Sequence, residues 1–112
     1  MNIYFRPPLD QLILDGKQTI TIRCWKQKPP KVGQVLSAQT GYARNTRFAD
    51  LLVTKVFEWT DDIKITDDLA KKVGYDSVRD FELAYQNLYG DKSGEKGRTK
   101  WFIKFEVLKT YR

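Results

Sequence analysis

The spacing of apolar positions changes several times along the chain, and each change predicts a new element. Ile3 to Phe5 is a short apolar run that predicts a first strand, which the proline pair after it stops. The apolar residues of Leu9 to Ile13 recur at helical spacing, which predicts a short helix that ends at Gly16. From Thr19 to Trp25 apolar and polar residues alternate, as they do in a half-buried strand.

The middle of the chain predicts two more strands and then two helices. Val35 to Thr40 and Ala49 to Trp59 have the apolar content of strands, and the polar segment between them is typical of a loop. Thr66 to Gly74 has a capping threonine at its start and a glycine at its end, which predicts a short helix. Ser77 to Gly90 starts with a second capping residue and continues with apolar residues at helical spacing.

The end of the chain predicts a loop and a closing strand. Asp91 to Lys100 is polar and contains glycine, which predicts a flexible loop and leaves open whether it closes over a ligand. Trp101 to Leu108 alternates, with Ile103, Phe105 and Val107 predicted to face inward. The order of elements predicts one α+β domain over residues 1–112, a small and mostly antiparallel β-barrel flanked by two to three helices.

Composition restricts the chemistry more than it restricts the fold. Apolar residues are 41% of the 112, which is enough for a packed core. The chain has no histidine and a single cysteine, Cys24, so it can form neither a histidine-based nucleophile nor the usual zinc or iron site. We therefore expect no metal and no cofactor. The lone cysteine, with no apolar run near the roughly 18 residues of a membrane span, predicts a cytoplasmic protein that does not enter a membrane.

Charge is distributed unevenly along the chain. The net charge is +6, and no acidic residue occurs between Asp15 and Asp50. The basic residues of that stretch are Lys17, Arg23, Lys26, Lys28, Lys31, Arg44 and Arg47. Such an asymmetry predicts a polyanionic partner.

The segment Gly16 to Arg23 carries the residues best suited to bind such a partner. Arg23 offers a planar fork of donors for a phosphate or a base edge, and Thr21 adds a hydroxyl on the same strand face. Gln18 contributes an amide that both donates and accepts, beside the charge of Lys17. Elsewhere, aromatic residues are candidates to stack a base and arginines to contact phosphates. These further candidates are Trp25, Tyr42, Arg44 and Arg47.

The same segment resembles the motif of ASCH domains, which is Gly-x-Lys-x-x-Thr-x-Arg, with Gly16, Thr21 and Arg23 at the matching positions. Shorter likenesses follow along the chain. Lys31 to Val35 is similar to the family's turn, 74–81 to its helix entry, and 101–105 to its closing strand. The resemblance implies a PUA-like barrel and RNA binding in a cleft beside it.

One bacterial branch of that family is an amidohydrolase acting on N4-acetylcytidine through a Lys, a Thr and a Glu. By resemblance, Thr21 matches, Gln18 replaces the Lys, and 73–75 lacks the carboxylate. Glutamine does not titrate, so the family's catalytic arrangement is incomplete. Lys17 is adjacent, but neighbouring residues at a strand entry face opposite ways.

Three hypotheses for function remain open at this point. The first is a non-catalytic module that binds RNA or a nucleotide-like ligand in a basic cleft beside the barrel. The second is an amidohydrolase acting on N4-acylated cytidine or another modified nucleoside, with Thr21 as nucleophile and Lys17 or a tyrosine as helper. The third is a protein-interaction adaptor with a basic face.

Overall fold

The computed structural model describes residues 1–60, 62–89 and 98–112. Its elements follow the predicted order: β1 (Asn2–Tyr4), α1 (Leu9–Leu14), β2 (Ile20–Trp25), β3 (Val35–Gln39), β4 (Arg47–Glu58), α2 (Asp67–Lys72), α3 (Val78–Tyr89) and β5 (Thr99–Thr110). A single 3₁₀ turn, Arg44–Thr46, lies in the predicted loop between β3 and β4. No helix within the described ranges is long and apolar enough to span a membrane.

The five strands form one curled sheet in the order β1-β3-β4-β5-β2. Only β1 and β3 run parallel, with Ile3 opposite Ala38, and the other neighbouring strands are antiparallel. The predicted α+β, mostly antiparallel barrel with flanking helices is confirmed, in the form of a half-barrel. Because β1 and β2 are the two ends of the strand order, the sheet is open between them.

Apolar side chains pack on both faces of the curled sheet. The barrel cluster fills the inside and contains Ile3, Phe5, Ile13, Leu36, Ala38, Phe48, Ala49, Leu51, Val53, Ile103 and Phe105. The helix-side cluster packs Ile20, Ile22 and Phe102 of the sheet against Ala70, Val73 and Phe81. The curled sheet therefore has the barrel cluster on its inner face and the helical segment 67–89 on its outer face.

Local sequence signals determine where the helices begin and end. Gly16 follows α1 with φ +77°, and Gly74 follows α2 with φ +104°, conformations that favour glycine. The Thr66 side chain caps α2 by accepting a hydrogen bond from the Leu69 amide at 3.2 Å. Ser77 Oγ accepts from the Asp80 amide at 3.2 Å at the start of α3. The predicted helix boundaries are therefore confirmed as far as Tyr89.

The closing strand departs from its prediction in two ways. It begins at Thr99, so the predicted end of the loop at Lys100 is two residues too late. The 91–97 part of the predicted loop lies outside the described residues. Val107, predicted to face inward, is 39% exposed, because β2 pairs with β5 only up to Lys104 and leaves the rest of β5 as an edge. Phe102, by contrast, is fully buried, because the helix-side cluster covers its face of the strand.

Candidate ligand-binding cavity

A cavity of about 710 Å³ lies at the opening of the half-barrel. Its walls come from both edge strands, with Tyr4 and Phe5 on one side and 21–23 on the other. The rest of the wall comes from the two prolines before α1, the turn between α2 and α3, and one face of α3. Its volume falls within the roughly 300–1,000 Å³ that is typical of small-molecule sites.

Gln18 turns into this cavity because the chain reverses tightly after α1. The amides of Lys17 and Gln18 both donate to the Leu12 carbonyl, at 2.9 and 3.1 Å. Gln18 is only 2% exposed and lines the cavity, whereas Lys17 is exposed. Gln18 Nε2 donates to the Ile20 carbonyl at 3.2 Å. No described residue donates a hydrogen bond to its Oε1.

Thr21 and Arg23 line the cavity from β2, and Arg23 also bridges the open side of the sheet. Its Nε donates to Thr21 Oγ1 at 3.1 Å, and its Nη2 donates to the Tyr4 carbonyl of β1 at 2.7 Å. The guanidinium lies 4.8 Å from the centre of the Phe5 ring. Arg23 therefore links the two edge strands that no backbone hydrogen bond joins. The Arg23 guanidinium, predicted to bind a ligand, therefore also holds the two edge strands together.

Gly74 lets the α2–α3 turn approach the cavity closely. A Cβ at this position would lie 2.9 Å from Leu9 Cδ2 and 3.0 Å from Gln18 Oε1. Gly74 therefore serves both the positive φ of the turn and the space that the Gln18 amide occupies. Only the first of these roles was predictable from the sequence.

Aromatic side chains of α3 and the turn before it form the other wall. Tyr75, Phe81 and Tyr85 line the cavity, and the Phe81 ring contacts both tyrosines, with its centre 5.8 Å from each of theirs. Trp59 packs behind them against Phe81 and Tyr85 rather than lining the cavity. The helical spacing predicted the apolar face of α3, but no sequence signal showed that this face meets β2 around a cavity.

The remaining predicted binding residues are dispersed. Tyr42 is 90% exposed, and its ring centre lies 4.8 Å from that of Tyr4, which lines the cavity. Trp25 is half-buried against the barrel cluster. Arg44 is exposed in the 3₁₀ turn. The structure thus brings only Gln18, Thr21 and Arg23 of the predicted set into the cavity wall.

Arg47 does not line the cavity and instead contacts Asp50 and Tyr111, near the C-terminus of the chain. It forms an ion pair with Asp50 at 2.5 Å, and its guanidinium lies 4.2 Å from the centre of the Tyr111 ring. Tyr111 also donates its hydroxyl to Asp50 at 2.7 Å. That hydrogen bond, followed by the one from Arg47, lowers the pKa of Asp50. The hydrogen bond to Asp50 raises the pKa of Tyr111, and the hydrogen bond from Arg47 to Asp50 raises the pKa of Arg47.

Charged groups in the cavity wall are all cationic within the described part of the chain. Arg6 and Arg23 line it, and no carboxylate or lysine does. Lys17 instead lines a separate depression with Lys71 and Asp76. No described side chain of the wall is therefore suited to take a proton from Thr21 at neutral pH. The described residues also contain no cluster of three or more His, Cys, Asp or Glu that could hold a metal ion.

Solved structures share this architecture at low sequence identity. An ASCH domain from Lactobacillus crispatus JV V101 has a TM-score of 0.73 at 15% identity, over 95% of this chain and 77% of that one. A protein from Enterococcus faecalis V583 has a TM-score of 0.70 at 20% identity, over 92% and 68%. A single-residue variant of an ASCH protein from Zymomonas mobilis has a TM-score of 0.60 at 11% identity, over 99% and 72%.

No family model matches the sequence, and no curated protein matches it either. The likeness is therefore one of structure, and it shows that the chain has an ASCH-type fold.

Proposed function

We propose that this ASCH-type domain binds RNA or a nucleotide-like ligand in the cavity between β1, β2 and α3. The observation that carries the proposal is the composition of the cavity wall. It combines buried polar groups, aromatic rings and two arginines, with no acidic residue in the part of the wall that the structure describes. A ligand that is flat, polar at its edge and anionic at one end complements all three features.

The aromatic wall suits a nucleobase. Tyr75, Phe81 and Tyr85 line the cavity, and a base stacked on such a ring gains roughly 1–3 kcal/mol of binding free energy. Base edges also carry the donors and acceptors that buried polar side chains need. The stacking surface and the polar groups of Gln18 and Thr21 therefore favour insertion of a base.

The arginines suit the phosphate that a nucleotide carries. Arg6 is exposed and lines the cavity, so it can contact a phosphate outside while the base lies within. Arg23 uses part of its fork to link the edge strands, so its contribution to binding is mixed with a contribution to stability. Arg6 is consequently the better residue with which to test the electrostatic part of the proposal.

The proposal is tested with a fluorescein-labelled, single-stranded RNA of mixed sequence, followed by fluorescence anisotropy across a salt series. We expect Kd to rise steeply with salt because phosphate contacts release counterions. Arg6→Gln should weaken binding and reduce the salt slope by about 1, as expected for the loss of one phosphate contact. Arg79→Gln, at an exposed position of α3 outside the cavity, removes the same charge and serves as the matched control.

Two results would contradict the proposal. One is the absence of binding at 50 mM salt to both the mixed RNA and free nucleotides. The other is an equal loss of affinity in Arg6→Gln and Arg79→Gln, which would indicate a general charge effect and leave the protein-interaction hypothesis as the better one. The amidohydrolase hypothesis is tested separately by following deacetylation of N4-acetylcytidine with Thr21→Ala as control, and we expect no turnover.

A further inference from the structure

We infer that the binding site extends beyond the cavity, and that its ligand is a single strand of RNA rather than a free nucleotide. One base of the strand enters the cavity, and a neighbouring base stacks on the exposed ring of Tyr42. The inference rests on the proposed function and adds to it the class of ligand and a second binding position.

Tyr42 and Tyr4 together form an aromatic platform beside the cavity. Their ring centres are 4.8 Å apart, with an angle of 52° between the ring planes. Tyr4 lines the cavity and is 37% exposed, whereas Tyr42 is 90% exposed. Because Tyr4 belongs to the cavity wall, the aromatic surface continues from the cavity to Tyr42. A residue exposed to this extent buries little surface in the fold, so its ring is accessible to a base.

The loop that carries Tyr42 is closed by hydrogen bonds between its two ends. The Thr40 amide donates to the Thr46 carbonyl at 3.1 Å, and the Thr46 amide donates to the Ala43 carbonyl at 3.0 Å. The Gly41 amide donates to Thr46 Oγ1 at 3.2 Å. Thr40 also lines the cavity, so the loop begins at the cavity wall. A loop restrained in this way loses little freedom when a base stacks on it, which favours binding.

The charge of the platform suits a nucleic acid strand. The two segments that supply the platform, 2–8 and 40–46, contain Arg6 and Arg44 and no acidic residue. Both arginines are exposed, and Arg44 follows Tyr42 by two residues. A single strand alternates bases with phosphates, and aromatic rings interleaved with basic side chains complement that pattern. A free nucleotide would occupy the cavity and reach Arg6, but it would leave Tyr42 and Arg44 without a ligand group.

The test compares three 5′-phosphorylated RNA trinucleotides of equal charge by isothermal titration calorimetry. The first has a single uracil between two abasic residues. The other two carry a second uracil, on the 5′ side or on the 3′ side of the first. We expect the second base to strengthen binding roughly tenfold on one of the two sides, because it stacks on an aromatic ring. Equal charge removes the phosphate contribution from the comparison.

Three variants assign the gain to the Tyr42 ring. Tyr42→Ala should bind the three trinucleotides within about twofold of one another, because the ring is gone. Tyr42→Phe keeps the ring and should keep the gain. Val32→Ala is the control for the loss of an exposed apolar side chain. Val32 is 64% exposed and lies before β3 rather than after it, so this variant should also keep the gain.

The outcomes distinguish the inference from the function it rests on. Equal binding of the three trinucleotides by the unaltered protein would overturn the inference and leave nucleotide binding intact. A gain that persists in Tyr42→Ala would overturn it as well. If the trinucleotides bind too weakly to measure, the mixed-sequence RNA replaces them, and equal affinities of Tyr42→Ala and the unaltered protein then refute the inference. Absence of binding by the trinucleotides, the mixed-sequence RNA and free nucleotides would overturn the proposed function itself.

Discussion

The two faces of the curled sheet are built differently. Inside the half-barrel, large side chains such as Phe48, Leu51 and Ile103 are fully buried, and of the barrel cluster only Phe5 lines the cavity. On the helix side, Ile22 and Phe81 belong to the second cluster and also line the cavity. The inner face is therefore almost entirely a core, and the helix-side face is both a core and a wall of the cavity.

The difference shows where stability and function lie in this small fold. A closed cluster stabilises in proportion to the apolar surface that it buries and the voids that it avoids. A cluster that borders a cavity gives up part of that packing. In return, two buried polar residues, Gln18 and Thr21, line the cavity beside it.

The largest effect should come from truncating the barrel cluster. Phe48 is fully buried, so Phe48→Ala should lower the free energy of unfolding by about 3–5 kcal/mol through lost burial and a new void. Phe81→Ala on the helix side should cost less, because that ring already borders an open space, but it should also weaken ligand binding. Urea denaturation of both variants measures the first effect. Equal losses of stability would break the comparison of the two faces.

The next effect should come from the glycine beneath the cavity. Gly74→Ala adds a Cβ that would lie 2.9 Å from Leu9 and 3.0 Å from Gln18, in a residue with φ +104°. We expect a loss of about 2–4 kcal/mol from backbone strain and overpacking together.

Gly16→Ala is the matched control for Gly74→Ala. It has φ +77° but meets no atom within 4 Å, so it should cost only the conformational part, about 1 kcal/mol. Thermal and urea unfolding of the pair isolates the close approach. Similar losses in the two variants would show that Gly74 serves the turn alone.

A smaller effect should follow from removing the Arg23 side chain, which links the edge strands β1 and β2. Arg23→Ala removes two hydrogen bonds and the contact with the Phe5 ring, and it should destabilise the protein by about 1–3 kcal/mol. Hydrogen exchange should quicken in β1. Arg44→Ala, at an exposed position of the 3₁₀ turn, removes the same charge and should change stability little. Unchanged exchange in β1 would indicate that Arg23 serves the ligand only.

Much of the architecture could be predicted from sequence, because it depends on local signals. The alternation in 19–25, the helical spacing after Pro8, and the capping by Thr66 each act within a few residues. They were sufficient to predict the order of elements and, with the resemblance to ASCH domains, the barrel.

The site could be predicted only in part, because burial there depends on distant segments. Thr21 was expected on a polar face of β2, yet it is 5% exposed, because that face lies on the barrel side beside distant segments such as Phe5, while the helices cover the opposite face with Ile20 and Ile22. Tyr75 and Tyr85 were missed as wall residues for the same reason. The exposure of Lys17 and the burial of Gln18 depend on the turn after α1. That these two neighbours face opposite ways was predicted from the sequence.

The smallest predicted effect concerns the contacts of Asp50 with Tyr111 and Arg47. The hydrogen bond from Tyr111, followed by Arg47, lowers the pKa of Asp50. A lowered pKa means that this stabilisation is present above the unfolded value of about 3.9 and is lost as the pH falls through the folded value. The raised pKa of Tyr111 means that its contribution is complete below about 10 and is lost as the pH rises through the folded value.

Tyr111→Phe should therefore lower Tm slightly near pH 7, and the difference from the unaltered protein should shrink towards both extremes of pH. Tm measured by circular dichroism from pH 2 to pH 11 tests this, with Tyr42→Phe as control for the loss of an exposed hydroxyl remote from Asp50. The effect is expected to be small because these groups remain partly exposed and water screens them. A Tm difference that stays constant across the range would show that Tyr111 acts by packing rather than through Asp50. The hydrogen bond to Asp50 would then contribute little to stability on the barrel side, which would widen the contrast of that side with the polar cavity wall.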